Sequence, residues 1–467
     1  MRAALTSHDY GAVGYRRPSL GVSARIRHRL RLEPGLAAVT IGLIFGVGTG
    51  VALTVSPVLA AGIAGAAAVL AVAAFFDLFG LAVLLTGLLP WLIVLSNVLP
   101  RLTLTLVAGA TVVVLLALTK PRDDGSKEGL LLRLGMLLFV SPILLSLARD
   151  GLSVGANQAV KFIVFPLMVL IVSEGRNRDV LARLRTVALW SSVAALAVNL
   201  FLGFSGIANI GYYHTGEILG LASEHVLALL AGVVTAAALA SGLTLTWAPI
   251  IAMGAIATVA TGVRSPLPGL AAAALLRMIS GRVRLRMILL VGVAVGAIFV
   301  SGAAGVVEKR FHQGEKRGEY QSLSDVGSGR GHIYSAALDG WRASPPLDWF
   351  VGAGLTAVLR FENERLGQAF VGHSDAVEAL VGLGVVGLLG LLLIWRVLIA
   401  RAEVKLPLVV LGCFAAFNGV LEYSAPVIIA VLLTFRALPQ RAPAVEPDPG
   451  ASRHPESGAS VALRPAG

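Results

Sequence analysis

Lys161, Glu224, His225, Arg264, Arg330 and His373 are polar side chains set in, or just beyond, long apolar runs. Arginine forks and ammonium groups bind phosphate oxygens and stabilise the charge that develops as a diphosphate leaves. A histidine that titrates near neutrality can take the proton of an attacking hydroxyl. Several cations with one imidazole therefore suit an anionic lipid headgroup such as a diphosphate. Each residue also has a plainer reading. Lys161 can snorkel to an interface, Arg264 can anchor a helix end there, and Glu224 with His225 can form a mutually satisfied pair between helices. Asp375 and Glu378 have capping-box spacing at a helix start, which makes Glu378 a cap and leaves His373, just before it, for chemistry.

The elements that must position these residues are membrane helices. The chain has 467 residues, 56% apolar and 14% charged, with a mean hydropathy of +0.83, which excludes a soluble multidomain enzyme. At about 20 residues per span, apolar runs fall at about 35–54, 57–76, 78–98, 101–119, 129–148, 156–173, 185–204, 218–240, 244–262, 266–280, 286–303, 374–396, 405–421 and 423–437. Several are short or abutting, so the sequence predicts an all-α polytopic membrane protein of about 12–14 transmembrane helices. The runs are too long and too uniformly apolar for the alternating strands of a barrel. Abundant glycine and alanine suit helices that approach closely in lipid. The one cysteine, Cys413, excludes disulfides within the chain and any cysteine-based metal site.

The net charge of +12 is a matter of topology. With alternating spans, Lys and Arg outside segment 304–373 fall overwhelmingly on one side, including Arg176, Arg178, Arg183, Arg282, Arg284 and Arg286. By the positive-inside rule both termini are then cytoplasmic. The long polar segment lies on the other face and carries eight basic against eight acidic residues, a balance unlike a nucleic-acid footprint. The expected organisation is a basic cytoplasmic tail (1–34), transmembrane helices (35–303), an extracytoplasmic loop (304–373), C-terminal transmembrane helices (374–437) and a disordered cytoplasmic tail (438–467). The loop should fold as a small cap, helical over 331–343, with a turn at Gly352-Ala353-Gly354. Lys161, Arg264, Arg330 and His373 all come out near the face that this loop covers.

Other chemistries fit poorly. No Gly-x-x-x-x-Gly-Lys-Ser/Thr loop is present for ATP-driven transport. Asp123-Asp124 lies in a cytoplasmic loop with no folded domain to hold a metal and a nucleotide sugar, and the turn near Ser56-Pro57 has no carboxylates. No essential metal and no cofactor are expected.

In order and local motif the chain resembles the O-antigen ligase and O-antigen polymerase family of polytopic membrane proteins. Arg264 follows Gly262 at the end of a late span, and an apolar hairpin comes next. The long loop then carries Ser328-Gly329-Arg330, Pro345-Pro346 and the Gly352-Ala353-Gly354 turn. His373-Ser374 leads into the Gly-rich span Val381-Gly-Leu-Gly-Val-Val-Gly387. The similarity covers about 255–396 and is compositional before that.

The resemblance implies a membrane glycosyltransferase of the bacterial plasma (inner) membrane, acting on its outer face in cell-envelope polysaccharide synthesis. Its donor would be an undecaprenyl-diphosphate-linked oligosaccharide and its acceptor a glycan, lipid or protein, with no metal. By motif, Arg264 and Arg330 would hold the diphosphate, joined by Lys161, which fills a similar place to a basic residue often seen in an earlier span of such proteins, and His373 with Arg330 would be catalytic. Many relatives have Ser-Arg where this chain has Val263-Arg264, and Pro-Asn where it has Leu221-Ala-Ser-Glu-His225. Glu224 and His225 would then be a local acceptor pocket. Polymerase and ligase share these motifs. The alternative is a proton- or ion-coupled secondary transporter using Lys161, Glu224 and His225 within the membrane, although such proteins usually show two similar halves and this sequence shows no repeat. A noncatalytic scaffold is a third reading.

Overall fold

The computed structural model describes residues 78–96, 101–119, 125–174, 178–205, 222–242, 246–280, 330–367 and 374–434, with isolated positions between 289 and 300. The predicted spans at 35–54 and 57–76, most of 286–303, both terminal tails, loop residues 304–329 and His373 lie outside the described residues.

Among the described residues the protein is all-helical. In chain order the helices are α1 (Leu78–Val94), α2 (Arg101–Leu118), α3 (Lys127–Asp150), α4 (Leu152–Glu174), α5 (Arg178–Phe204), α6 (Glu224–Ser241), α7 (Trp247–Ala260) and α8 (Pro266–Ser280). The polar loop contributes α9 (Arg330–Arg342), α10 (Pro346–Val351) and α11 (Ala357–Leu366), followed by α12 (Asp375–Arg401), α13 (Leu406–Phe417) and α14 (Ser424–Leu432). Among the described residues five helices, α3, α4, α5, α6 and α12, are long and apolar enough to cross a membrane. α1, α2, α7, α8 and α13 are shorter apolar helices. The described part of the structure is thus a bundle of apolar helices, of the lengths and composition that a membrane-spanning bundle requires. α3 leaves Leu130, Leu134, Leu137, Leu144 and Leu145 exposed, an apolar face that lipid suits and water does not.

Small residues set the packing, as expected where hydrophobic burial does not drive association. α3 and α12 run antiparallel along most of their length, with Arg401 Nη2 donating to Ser126 Oγ at 2.7 Å where α12 ends and α3 begins. Midway, a Cβ on Gly390 would lie 2.6 Å from the Phe139 backbone nitrogen and 2.8 Å from the Gly135 carbonyl oxygen. α8 meets α13 in the same way, since a Cβ on Gly269 would lie 2.8 Å from Val410 Cα. α14, buried over its whole length, fills the centre between α1, α2, α4, α5 and α6.

α12 is broken, and the break holds the loop. Gly384 has φ 71° and ψ −172° inside the helix, which removes the helical donors that the carbonyls of Val381 and Gly382 would otherwise meet. Backbone groups buried in a bundle must find other partners. Ala353 N–H donates to Val381 O at 2.9 Å and Gly354 N–H to Gly382 O at 3.2 Å. This docking is backbone on backbone. A Cβ on Gly352 would come 2.0 Å from Gly382 O, and one on Gly384 2.3 Å from the Phe350 carbonyl. Gly352 and Gly354 also sit at φ 87° and 111°, where other residues are strained.

The loop is fixed equally to the last turn of α3. Arg149 Nη1 pairs with Asp348 at 2.8 Å, and Arg149 Nη2 donates to Gly352 O at 3.1 Å. Leu355 N–H donates to Ser146 Oγ at 2.8 Å. α9 to α11 share a small core of Ala337, Ala353, Ala357, Val358 and Phe361 that closes on Val381 of α12. Helix α9 agrees with the predicted 331–343, and residues 330–367 are a folded cap on one end of the bundle, here termed the capped end.

Candidate functional site

At the capped end the polar residues converge on Asn418, which terminates α13 before Gly419 turns the chain at φ 71°. Its side chain is 1% exposed and makes bonds to three separate elements. Asn418 Oδ1 accepts from Arg330 Nη2 at the start of α9. Asn418 Nδ2 donates to Ser265 Oγ at 2.7 Å, and the same nitrogen stands 3.3 Å from His225 Nδ1 in the first turn of α6. A primary amide has two donors and an acceptor with two lone pairs, so one Asn can serve all three.

Local structure explains each arrival. Thr261 Oγ1 donates to Thr258 O at 2.7 Å and accepts from Val263 N–H at 3.2 Å. With Gly262 at φ 65°, these bonds fold the α7–α8 turn so that buried Ser265 faces inward and partly buried Arg264 precedes it. Glu224, 3% exposed, opens α6 after Ser223, whose N–H donates to Ser96 Oγ at 2.9 Å. Tyr334 lies one turn along α9 from Arg330, its hydroxyl donating to Phe417 O at 3.4 Å. Burial lifts the Tyr334 phenol above its ordinary value of 10.0; the Arg330 charge pulls it back and Glu378 adds to the rise.

The chain after Asn418 is a buried, non-helical turn whose backbone needs donors and acceptors from elsewhere. Asp375 supplies the acceptor, its Oδ1 accepting from Val420 N–H at 2.7 Å and Leu421 N–H at 3.0 Å. The expected capping box at the head of α12 is therefore absent. The N-cap is Ser374, without a side-chain cap bond. Asp375 is used by the α13–α14 turn, and both oxygens of Glu378 are buried with no hydrogen-bond partner among the described residues. His373 lies outside the described residues, but the helix that follows it begins beside the turn that holds Asn418.

Lys161 belongs to a second polar group. It projects from α4 near Glu378 and interacts with it electrostatically, as do Glu422, Asp375 and Glu362. Gln158, one turn before Lys161, donates from Nε2 to Glu422 Oε1 at 3.4 Å. Among the described residues no group of three or more His, Cys, Asp or Glu side chains is placed to hold a metal ion.

Of the residues singled out in the sequence, Arg330, His225 and the Arg264–Ser265 turn are brought to one junction; Glu224 opens the same helix as His225. Lys161 faces the neighbouring acidic group instead. Reasoning from ionisable residues passes over Asn418, Ser265, Asp375 and Arg149. The signal for Asn418 is a carboxamide at the end of an apolar run, just before a glycine, since polar groups at membrane depth need partners. The sequence matches no protein-family model, and no curated protein matches it either.

Proposed function

We propose that the protein is a membrane glycosyltransferase of the O-antigen ligase or polymerase type, moving a glycan from an undecaprenyl-diphosphate carrier on the outer face of a bacterial plasma membrane. On this reading the bundle has 12–14 spans, both termini are cytoplasmic, and the capped end faces outward. The observation that carries it is the Asn418 junction, where Arg330, the turn bearing Arg264, and His225 meet under a folded cap. These are the segments that the resemblance assigns to donor and acceptor.

The chemistry follows from the groups. The diphosphate is held by Arg264 and Arg330, with Lys161 at the side of the site. His373, in the segment leading into α12, takes the acceptor hydroxyl's proton as its oxygen attacks the anomeric carbon. The bond to the diphosphate breaks in the same displacement, so the configuration at that carbon inverts. Glu224 and His225 border the acceptor.

A second reading, proton- or ion-coupled transport, draws on Lys161, Glu378, Glu422 and Glu362 lying together around an interrupted α12. Intramembrane ionisable groups and broken helices are the usual makings of ion pathways. The deciding experiment uses purified protein in lipid with labelled undecaprenyl-diphosphate oligosaccharide. Transfer of label to a longer lipid-linked product marks a polymerase, and transfer to another acceptor marks a ligase. Either activity should disappear with His373→Ala or Arg330→Ala. No transfer to any acceptor, together with proton-coupled uptake sensitive to Lys161 substitution, would replace this reading by the transporter.

A further inference from the structure

Beside the Asn418 junction a cavity with about 250 Å³ of atom-free space, including its open mouth, is lined by Gln158, Phe162, Leu355, Val358, Leu359, Glu378 and Glu422. Its closed part is the size that holds one water or one hydroxyl rather than a sugar ring. Glu378 lines it while only 4% exposed, and neither of its carboxylate oxygens has a hydrogen-bond partner among the described residues. Gln158 lines it too, and its Oε1 is likewise buried without a hydrogen-bond partner there, its Nε2 being directed to Glu422. Such atoms cost free energy comparable to a lost hydrogen bond when left unmet.

Three features define the guest. All three unmet atoms are acceptors, so the guest must donate. The carboxylates around the cavity do not converge as ligands of one metal ion, whereas hard cations demand an oxygen shell on every side. The remaining walls are Phe162, Leu355, Val358 and Leu359, which suit the C–H surface beside a hydroxyl. We infer that this cavity is a subsite for one hydroxyl or hydroxymethyl group of the glycan substrate, its one O–H donating to a Glu378 oxygen beside Gln158 and the cap roofing it. The inference rests on the glycan-transfer reading and names the residue that recognises the sugar rather than the diphosphate. Lys161 interacts electrostatically with Glu378, which accounts for its facing Glu378 and not the Arg330 junction. Glu378 is a binding residue in this scheme and takes no proton from the reacting oxygen.

The test has two readouts on the full-length protein in nanodiscs. The first is reaction of Glu378 with N,N′-dicyclohexylcarbodiimide, followed by mass spectrometry. Undecaprenyl-diphosphate oligosaccharide should slow that labelling about 10-fold or more, while undecaprenyl diphosphate without sugar, or sodium chloride in place of choline chloride, should not. The second is transfer by Glu378→Gln and Glu378→Leu, each first checked for wild-type thermal stability. Stranding a buried polar group by removing its hydrogen-bond partner is worth about 10-fold to 100-fold in affinity. The KM for the oligosaccharide should therefore rise by that much in Glu378→Leu and by less in Glu378→Gln, which retains an acceptor oxygen, with kcat changed little. Transfer by the wild type with no protection by sugar, or protection by sodium alone, overturns the subsite and leaves the transferase reading standing. Protection without transfer to any acceptor keeps the subsite and overturns the transferase reading.

Discussion

Asn418 is the residue on which the site's geometry depends, because one carboxamide holds the cap, the α7–α8 turn and the head of α6 together. Asn418→Leu keeps the branched shape and the number of heavy atoms and removes all three bonds. Transfer should fall at least about 10-fold, since each lost bond leaves a polar partner unmet; unchanged kcat and KM would remove Asn418 from the site. Arg330→Lys should also be poor, because a point charge does not reproduce a planar fork that bonds Asn418 and, on the transferase reading, a phosphate as well. Asp375 acts on the backbone instead. Asp375→Ala strands the N–H groups of Val420 and Leu421 and should cost about 2–4 kcal/mol, read as a lower melting temperature in detergent, with Asp375→Asn milder. The Tyr334 phenol gives the pH dependence of the cap. Its folded value lies above 10.0, so the native state holds the proton more tightly than the unfolded chain. That contribution is intact below about pH 10 and is lost as pH rises through the folded value. Absorbance at 295 nm, wild type minus Tyr334→Phe, should show a phenol titrating above pH 10; one titrating at its ordinary value would show that burial is not felt there.

At the scale of elements, the break in α12 and the turn that fills it are one device. A helix that leaves two carbonyls unmet is tolerable in a membrane bundle only where other backbone supplies donors, and the Gly352-Ala353-Gly354 turn supplies them. Gly384→Ala should therefore do two kinds of damage. The residue would occupy φ 71° and ψ −172°, a region essentially restricted to glycine, at about 1–3 kcal/mol, and its Cβ would strike the Phe350 backbone. We expect the cap to detach, seen as rapid protease cleavage within 343–372 with the spans intact; protection equal to wild type would show that the docking is not needed to hold the cap.

For the whole molecule, one orientation follows from charge and another observation can check it. In a Cys413→Ser background, Asn363→Cys on exposed α11 should react in intact cells with a membrane-impermeant maleimide, and Glu403→Cys at the opposite end only after lysis. The reverse pattern would place the cap in the cytoplasm and end the transferase reading. The sequence alone determined the helical class, the approximate ends of the described spans, and the helix near residues 331–343, because these depend on local hydropathy and on the length of apolar runs. It also pointed to Arg330, Arg264 and His225, whose charge or imidazole is conspicuous in an apolar chain. The tertiary structure decided their partners. Asn418, Ser265 and the Asp375 carboxylate are common polar residues whose use depends on which unmet backbone or side-chain group folding brings opposite them. The spacing of Asp375 and Glu378 could not reveal that one is drawn to a turn 45 residues away in sequence and the other left facing a cavity. Local pattern sets the elements, and long-range proximity, which no window of sequence contains, sets the chemistry between them.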